Sequence, residues 1–137
     1  MIYTMMQVCK ETHLTYQTLK FYCNEGLVPN VMRDKNNRRI FDEKTVKWIK
    51  DLTCLKKCGL SIQEMKDYLD LCLQGEDTIP QRQIMLAQKQ NELKEHIQEL
   101  QDCVAYFDFK QNFYKDVLSG KRPYVSNLID TTKKGDA

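Results

Sequence analysis

Residues 13–41 gather the side chains best suited to chemistry on a charged polymer. Thr15, Tyr16, Gln17, Thr18, Lys20 and Tyr22 fall in one short segment, and Arg33, Arg38 and Arg39 follow it. Amides, hydroxyls and amines can read base edges, whereas guanidinium groups suit phosphate oxygens. At helical spacing Tyr16, Gln17 and Lys20 share one face, with Leu14, Leu19 and Phe21 expected to turn the other way, toward a core. This set suits a duplex, with a helix in the major groove and a basic turn on the backbone. The bland alternative is a solvated helix face beside a turn of incidental charge.

A second chemistry is possible at Cys54, which has Lys50, Lys56 and Lys57 nearby in sequence. Positive neighbours favour the thiolate, the nucleophilic form. The alternative is a small buried apolar residue, as most free cysteines are. Cys54 and Cys58 share a helix face, and a soft metal could use them if Cys72 or Cys103 closed the site. His13 and His96 have no metal-like partner in sequence. None of the six cysteines forms a CxxC pair, so reduced thiols in a reducing cytosol are expected. There is no Gly-rich phosphate loop, no nucleophile elbow and no His placed to activate a Cys; neither an enzyme nor a cofactor is expected.

These side chains need elements to hold them. Thr4 can cap a helix over about Met5 to Glu11, and His13-Leu14 makes a tight turn. Thr15 then caps a helix from about Tyr16 to Asn24, because its hydroxyl can accept from a free backbone N–H of the first turn. Gly26 suits the left-handed end of that helix, and Pro29 stops it. Two short helices joined this way form a helix-turn-helix. Val31-Met32-Arg33 and Arg38-Arg39-Ile40-Phe41 read as two strands around a turn in which Asn37 tolerates positive φ, a wing. Asp42 caps a third helix that Gly59 ends. Ser61 and Glu64 form a capping box for a fourth, ending near Gly75.

A single long helix is expected over Ile79–Leu118. Ile79, Leu86, Leu93, Leu100, Phe107 and Tyr114 recur every seventh residue, interleaved with Gln83, Gln90, Ile97, Val104, Gln111 and Leu118. That alternation is a heptad repeat, whose glutamines weaken the seam but can fix register. At 1.5 Å per residue the helix is about 60 Å long. It cannot bury its own seam, so a second copy of the chain is the simplest partner. Leu86, Leu93, Ile97, Leu100, Val104, Phe107 and Tyr114 are the expected dimerisation residues. The division is therefore a DNA-binding head at 1–75, a dimerisation coiled coil at 76–118 and a polar tail at 119–137.

Composition agrees. The 137 residues are 42% hydrophobic and 29% charged, values typical of a soluble protein. Residues 1–69 hold 12 Lys/Arg and 8 Asp/Glu, a balance of +4, while residues 70–137 hold 9 and 11, a balance of −2. A basic front and a slightly acidic back fit a duplex-binding head with a solvated helical tail. No apolar run approaches the roughly 20 residues of a bilayer span, and the start does not read as a signal peptide. A cytoplasmic location is expected, with no membrane partner.

Taken together, Ile2-Tyr3-Thr4, Thr15 to Tyr22, Glu25-Gly-Leu-Val-Pro29, Arg33, Arg39-Ile-Phe41 and Leu55 to Lys66 resemble the MerR family of bacterial transcription regulators over about residues 2–118. The Leu55 to Lys66 piece resembles the family's second-wing helices. The resemblance implies a mainly α fold, a winged helix-turn-helix head followed by a long antiparallel dimerisation helix. It implies a homodimer on a pseudo-palindromic promoter operator, distorting double-stranded DNA so that RNA polymerase, an indirect partner, engages both promoter elements. The segment after Leu60, with Tyr-Phe-Asp-Phe-Lys110, resembles the family's thiol/aldehyde-responsive branch, which has a cysteine at the position of Cys54. Metal-sensing members carry a cysteine-rich loop after the long helix, whereas residues 104–137 have no Cys or His. A metal-responsive sensor and a coiled-coil interaction protein without DNA binding are the alternatives. The chain departs from the family pattern at Lys20, where Arg is usual, at Phe21, where Tyr is usual, and at Asn37-Arg38-Arg39, where the wing tip is usually Gly-Tyr-Arg. Lys20 keeps the charge but loses the planar fork, which leaves base preference open.

Overall fold

The computed structural model describes residues 1–132; the end of the tail, from residue 133, lies outside the described residues. The chain forms two compact units, residues 1–93 and residues 94 onward. The first unit reaches past residue 75 and takes in the start of the long helix.

In the first unit, strand β1 (Ile2–Thr4) runs into helix α1 (Met5–Thr12). The capping box is complete: the Gln7 N–H donates to Thr4 Oγ1 at 3.2 Å, and the Thr4 N–H donates to Gln7 Oε1 at 2.8 Å. His13, at φ 60°, ends the helix in the left-handed region. Helix α2 (Tyr16–Asn24) follows, with the Thr18 N–H donating to the Thr15 cap at 3.1 Å. Gly26, at φ 78°, makes the turn that a Cβ would strain. The chain then buries Leu27 and Val28 and enters the wing strands β2 (Met32–Arg33) and β3 (Arg39–Asp42).

The sheet has three strands in the order β1-β3-β2, all antiparallel. Ile2 pairs with Asp42 and Thr4 with Ile40, while Arg33 pairs with Arg39. Strand β1 is an addition to the two strands expected of the wing. It is too short to show alternation, and its partner lies some forty residues away.

Helix α3 (Glu43–Lys57) starts at Asp42, whose Oδ1 accepts from the Thr45 N–H at 2.8 Å. Helix α4 (Ile62–Leu73) starts at the Ser61–Glu64 capping box. A 3₁₀ turn (Glu76–Thr78) leads into helix α5 (Ile79–Leu118). Val8, Leu19, Leu27, Phe41, Ile49, Leu52 and Met65 are fully enclosed and draw β3 and helices α1 to α4 into one core, against which Tyr3 of β1 packs. Each such side chain stabilises the head by about 1.5–3 kcal/mol relative to exposure. Trp48 on α3 adds a polar tie, donating from Nε1 to the Leu27 carbonyl at 2.8 Å, and stacks on Tyr68 of α4.

Helix α5 differs from the rest. None of its forty residues is buried. Leu86, Ile97, Leu100, Val104, Phe107 and Tyr114 are 39–62% exposed, and Leu93 is half-buried. Among the described residues no helix is long and apolar enough to cross a membrane.

Candidate nucleic-acid interface

Helix α2 presents Tyr16, Gln17 and Lys20 to solvent. The Lys20 and Gln17 side chains have no hydrogen-bond or ion-pair partner among the described residues. Thr15 and Thr18 are tied together, Thr15 Oγ1 donating to Thr18 Oγ1 at 2.9 Å. That pair fixes the first turn, so Thr15 acts first as a cap. Thr18 is half-buried.

The two aromatic neighbours exchange the places expected of them. Tyr22 is 3% exposed and belongs to the core, so its ring is not available to a groove. Burial pushes its phenol up from the ordinary value. Phe21, expected in the core, is 45% exposed, like Tyr16 at 47%. Helical phase accounts for this. Tyr22 lies one turn from the enclosed Leu19, whereas Phe21 lies one turn from Gln17. Strict periodicity from Leu19 was the signal that could have found it.

The wing is a closed turn. Asp34 Oδ1 accepts from the backbone N–H groups of Asn36 and Arg38, both at 2.9 Å. The Asp34 N–H donates to the Arg38 carbonyl at 2.9 Å, and Asn37 takes φ 62°. Asn at this position costs little where a branched residue would be strained. Arg33 Nη1 donates to the Asn37 carbonyl at 3.0 Å, which braces the tip. Arg39 is half-buried and donates from Nη2 to Asn24 Oδ1 at 2.6 Å, joining the wing to the end of α2. The Arg38 side chain has no such partner among the described residues and stands in solvent. The three arginines thus differ: one braces the tip, one joins wing to helix, and one is free for an external anion.

Tyr16 and the wing arginines line an open cleft of about 530 Å³ together with Thr4, Met5 and Met6. Cys23, half-buried on α2, is a poor nucleophile there. Desolvation raises its thiol above the ordinary value, against the opposite pull of Arg39 and Arg33.

The family model described as MerR HTH family regulatory protein matches residues 3–72, and the one described as MerR, DNA binding matches residues 46–105. The chain belongs to the MerR family. This MerR-family protein is a DNA-binding transcriptional regulator. It is 33% identical, over 84% of its length and 85% of the relative's, to an uncharacterised HTH-type transcriptional regulator of Haemophilus influenzae. It is 37% identical, over 65% of its length and 64% of the relative's, to the HTH-type transcriptional regulator AdhR of Bacillus subtilis. Among solved structures it resembles HiNmlR, a MerR family regulator lacking the sensor domain, bound to promoter DNA. The TM-score is 0.72 at 32% identity, covering 87% of this chain and 94% of that one. A MerR family regulator of Listeria monocytogenes matches with a TM-score of 0.76 at 28% identity, over 87% and 90% of the two chains.

Away from the wing, Cys54 is exposed on α3. Of its basic neighbours in sequence, Lys50 lies 3.8 Å from Glu11, while Lys56 and Lys57 are exposed in the last turn. Cys58 caps the C-terminus of α3 and lines an apolar groove with Leu55, Leu60, Leu86 and Leu93. All six cysteines are free. Among the described residues no group of three or more His, Cys, Asp or Glu side chains could hold a metal ion.

Proposed function

We propose that this protein is a homodimeric, cytoplasmic regulator that binds a pseudo-palindromic promoter operator and distorts it, acting on RNA polymerase through the shape of the DNA. The observation that carries the dimer is helix α5, whose forty residues bury no side chain and leave Leu86, Ile97, Leu100, Val104, Phe107 and Tyr114 open to solvent. Apolar area of this extent seeks a partner. A two-fold antiparallel pairing of α5 with a second copy, residues 76–118 acting as the dimerisation element, would cover it.

In this reading Tyr16, Gln17, Lys20 and the newly found Phe21 enter the major groove, with Thr15 and Thr18 holding the helix start. Arg38 takes a phosphate, while Arg33 and Arg39 fix the wing that carries it. Two such heads, one from each chain, read two half-sites of one duplex. Bending or untwisting the DNA between them costs about 1–6 kcal/mol, which phosphate contacts can offset. HiNmlR, bound to promoter DNA, supports carrying this mode to the present chain.

The signal is assigned to Cys54. Its exposure on α3, with Lys56 and Lys57 close by in sequence, suits attack by its sulfur on an electrophile. Sedimentation and gel-shift titration test the main reading together. A dimer that binds a two-half-site duplex far more tightly than a single half-site is the expected result. A monomer, or equal affinity for both duplexes, would overturn it.

A further inference from the structure

Helix α2 turns one continuous face to solvent. Tyr16, Gln17, Lys20, Phe21 and Asn24 are all exposed along it. The steps from 16 to 20 to 24, and from 17 to 21, stack these side chains on one side of the helix. Tyr16, Gln17, Lys20 and Asn24 each carry a donor or an acceptor. Phe21 carries neither, and 45% of it stands in solvent.

The place of that ring is fixed by what surrounds it. Leu19 and Tyr22 are buried in the core, so Phe21 cannot turn inward while they stay. Thr15 Oγ1 accepts from the Thr18 N–H at 3.1 Å and holds the first turn. Asn24 Oδ1 accepts from Arg39 Nη2 at 2.6 Å and holds the last. Among the described residues the ring's aromatic neighbour is Tyr22, tilted by 51° with centroids 6.2 Å apart. That contact leaves nearly half of Phe21 uncovered.

A duplex offers such a ring few partners. Its bases show the major groove their edges, not their faces, so stacking is not available as it is on a single strand. Apolar wedges that part base steps enter from the minor groove. Most groups on the base edges are donors and acceptors, which a phenyl ring would desolvate without replacing their hydrogen bonds. The thymine C5 methyl is the apolar exception, and apolar side chains can meet it. Contact between ring and methyl takes apolar surface of both out of water.

We propose that Phe21 is a specificity-determining residue that reads a thymine in each half-site through its 5-methyl group. The inference rests on the reading that sets α2 in the major groove of two half-sites. Gln17 stands one turn before Phe21, about 6 Å along the helix. Base pairs rise about 3.4 Å, so the thymine lies within about two base pairs of the one that Gln17 meets.

The test removes the methyl alone. A duplex selected by the full chain from a random pool is remade with deoxyuridine in place of one thymine at a time, at matched positions of the two half-sites. Uracil keeps every hydrogen-bonding group of thymine. Loss of one buried methyl should weaken binding roughly fourfold per half-site. Wild type is expected to show that loss at one position near the Gln17 contact. Phe21→Ala should bind the thymine duplex more weakly and ignore deoxyuridine there. Phe21→Leu, still apolar, should keep part of the methyl response. A wild type indifferent to every methyl, or a response that survives in Phe21→Ala, would overturn the proposal. Gln17→Ala and Lys20→Ala separate this failure from that of the underlying reading. If both weaken binding while no methyl matters, the groove reading stands and the Phe21 inference falls. If Gln17→Ala, Lys20→Ala and Phe21→Ala all bind as wild type does, the groove reading falls and this inference with it.

Discussion

Arg39 on the wing donates to Asn24 at the end of helix α2 at 2.6 Å. The bond spans the two elements that the proposed reading sets against one duplex, the helix in a groove and the wing on the backbone. In the proposed reading it makes Arg39 an orienting residue and leaves Arg38, exposed on the same turn, as the proposed phosphate contact.

The arginines should therefore separate in a salt titration. Arg38→Ala is expected to weaken binding to all duplexes alike and to lower the slope of log K against log salt by about 1. Asn24→Ala carries no charge change, yet it should weaken operator binding by releasing the wing, with the slope kept. Loss of a single base preference in Arg38→Ala would contradict the phosphate role.

Tyr22 and its neighbour Phe21 give a second separation. Tyr22→Ala should destabilise the head by about 3–5 kcal/mol, as large-to-small core changes do. Tyr22→Phe should stay within about 1 kcal/mol of wild type and leave DNA affinity unchanged. Phe21→Ala should do the reverse, weakening DNA binding while the melting temperature holds. Chemical denaturation and gel shift on the same preparations check both.

Most of the helical frame was legible from capping and turn residues. Thr4, Thr15, Asp42 and Ser61 each cap the helix expected of them, because a cap is a local bond between neighbours in sequence. Asn37 likewise takes the positive φ expected of the wing turn. The long-range ties were not legible. Strand β1 pairs with a strand from the far side of the helix-turn-helix, and Lys89 meets Glu64 twenty-five residues away. No pattern in the chain marks those partners. The Phe21–Tyr22 exchange lies between the two cases. It was present in the helical phase but masked by the similar chemistry of adjacent aromatic rings.

Acid should weaken the head through its caps. The Thr45 N–H holds the Asp42 carboxyl below its ordinary range, so the folded chain binds that proton less readily than the unfolded chain. The contribution is complete above the ordinary carboxylate range and is lost as pH falls through the lowered folded value. Asp42→Asn keeps an acceptor without the titration. It should show a shallower fall in melting temperature between about pH 5 and pH 3 than wild type. Parallel curves for the two proteins would remove Asp42 from the account.

Thiol reactivity should follow exposure. After aldehyde challenge, mass spectrometry should find Cys54 modified ahead of Cys9 and Cys23, whose thiols burial pushes up. Cys54→Ser should abolish the response of a promoter reporter while leaving operator affinity intact. A full response in Cys54→Ser would move the sensor elsewhere.

In the proposed reading, two chains hold one operator through paired α5 helices. Native mass spectrometry of the full chain on a selected duplex, titrated to saturation, measures this directly. Two chains per duplex, with no one-chain complex accumulating on the way, is the predicted result. A saturated complex holding one chain per duplex would contradict it.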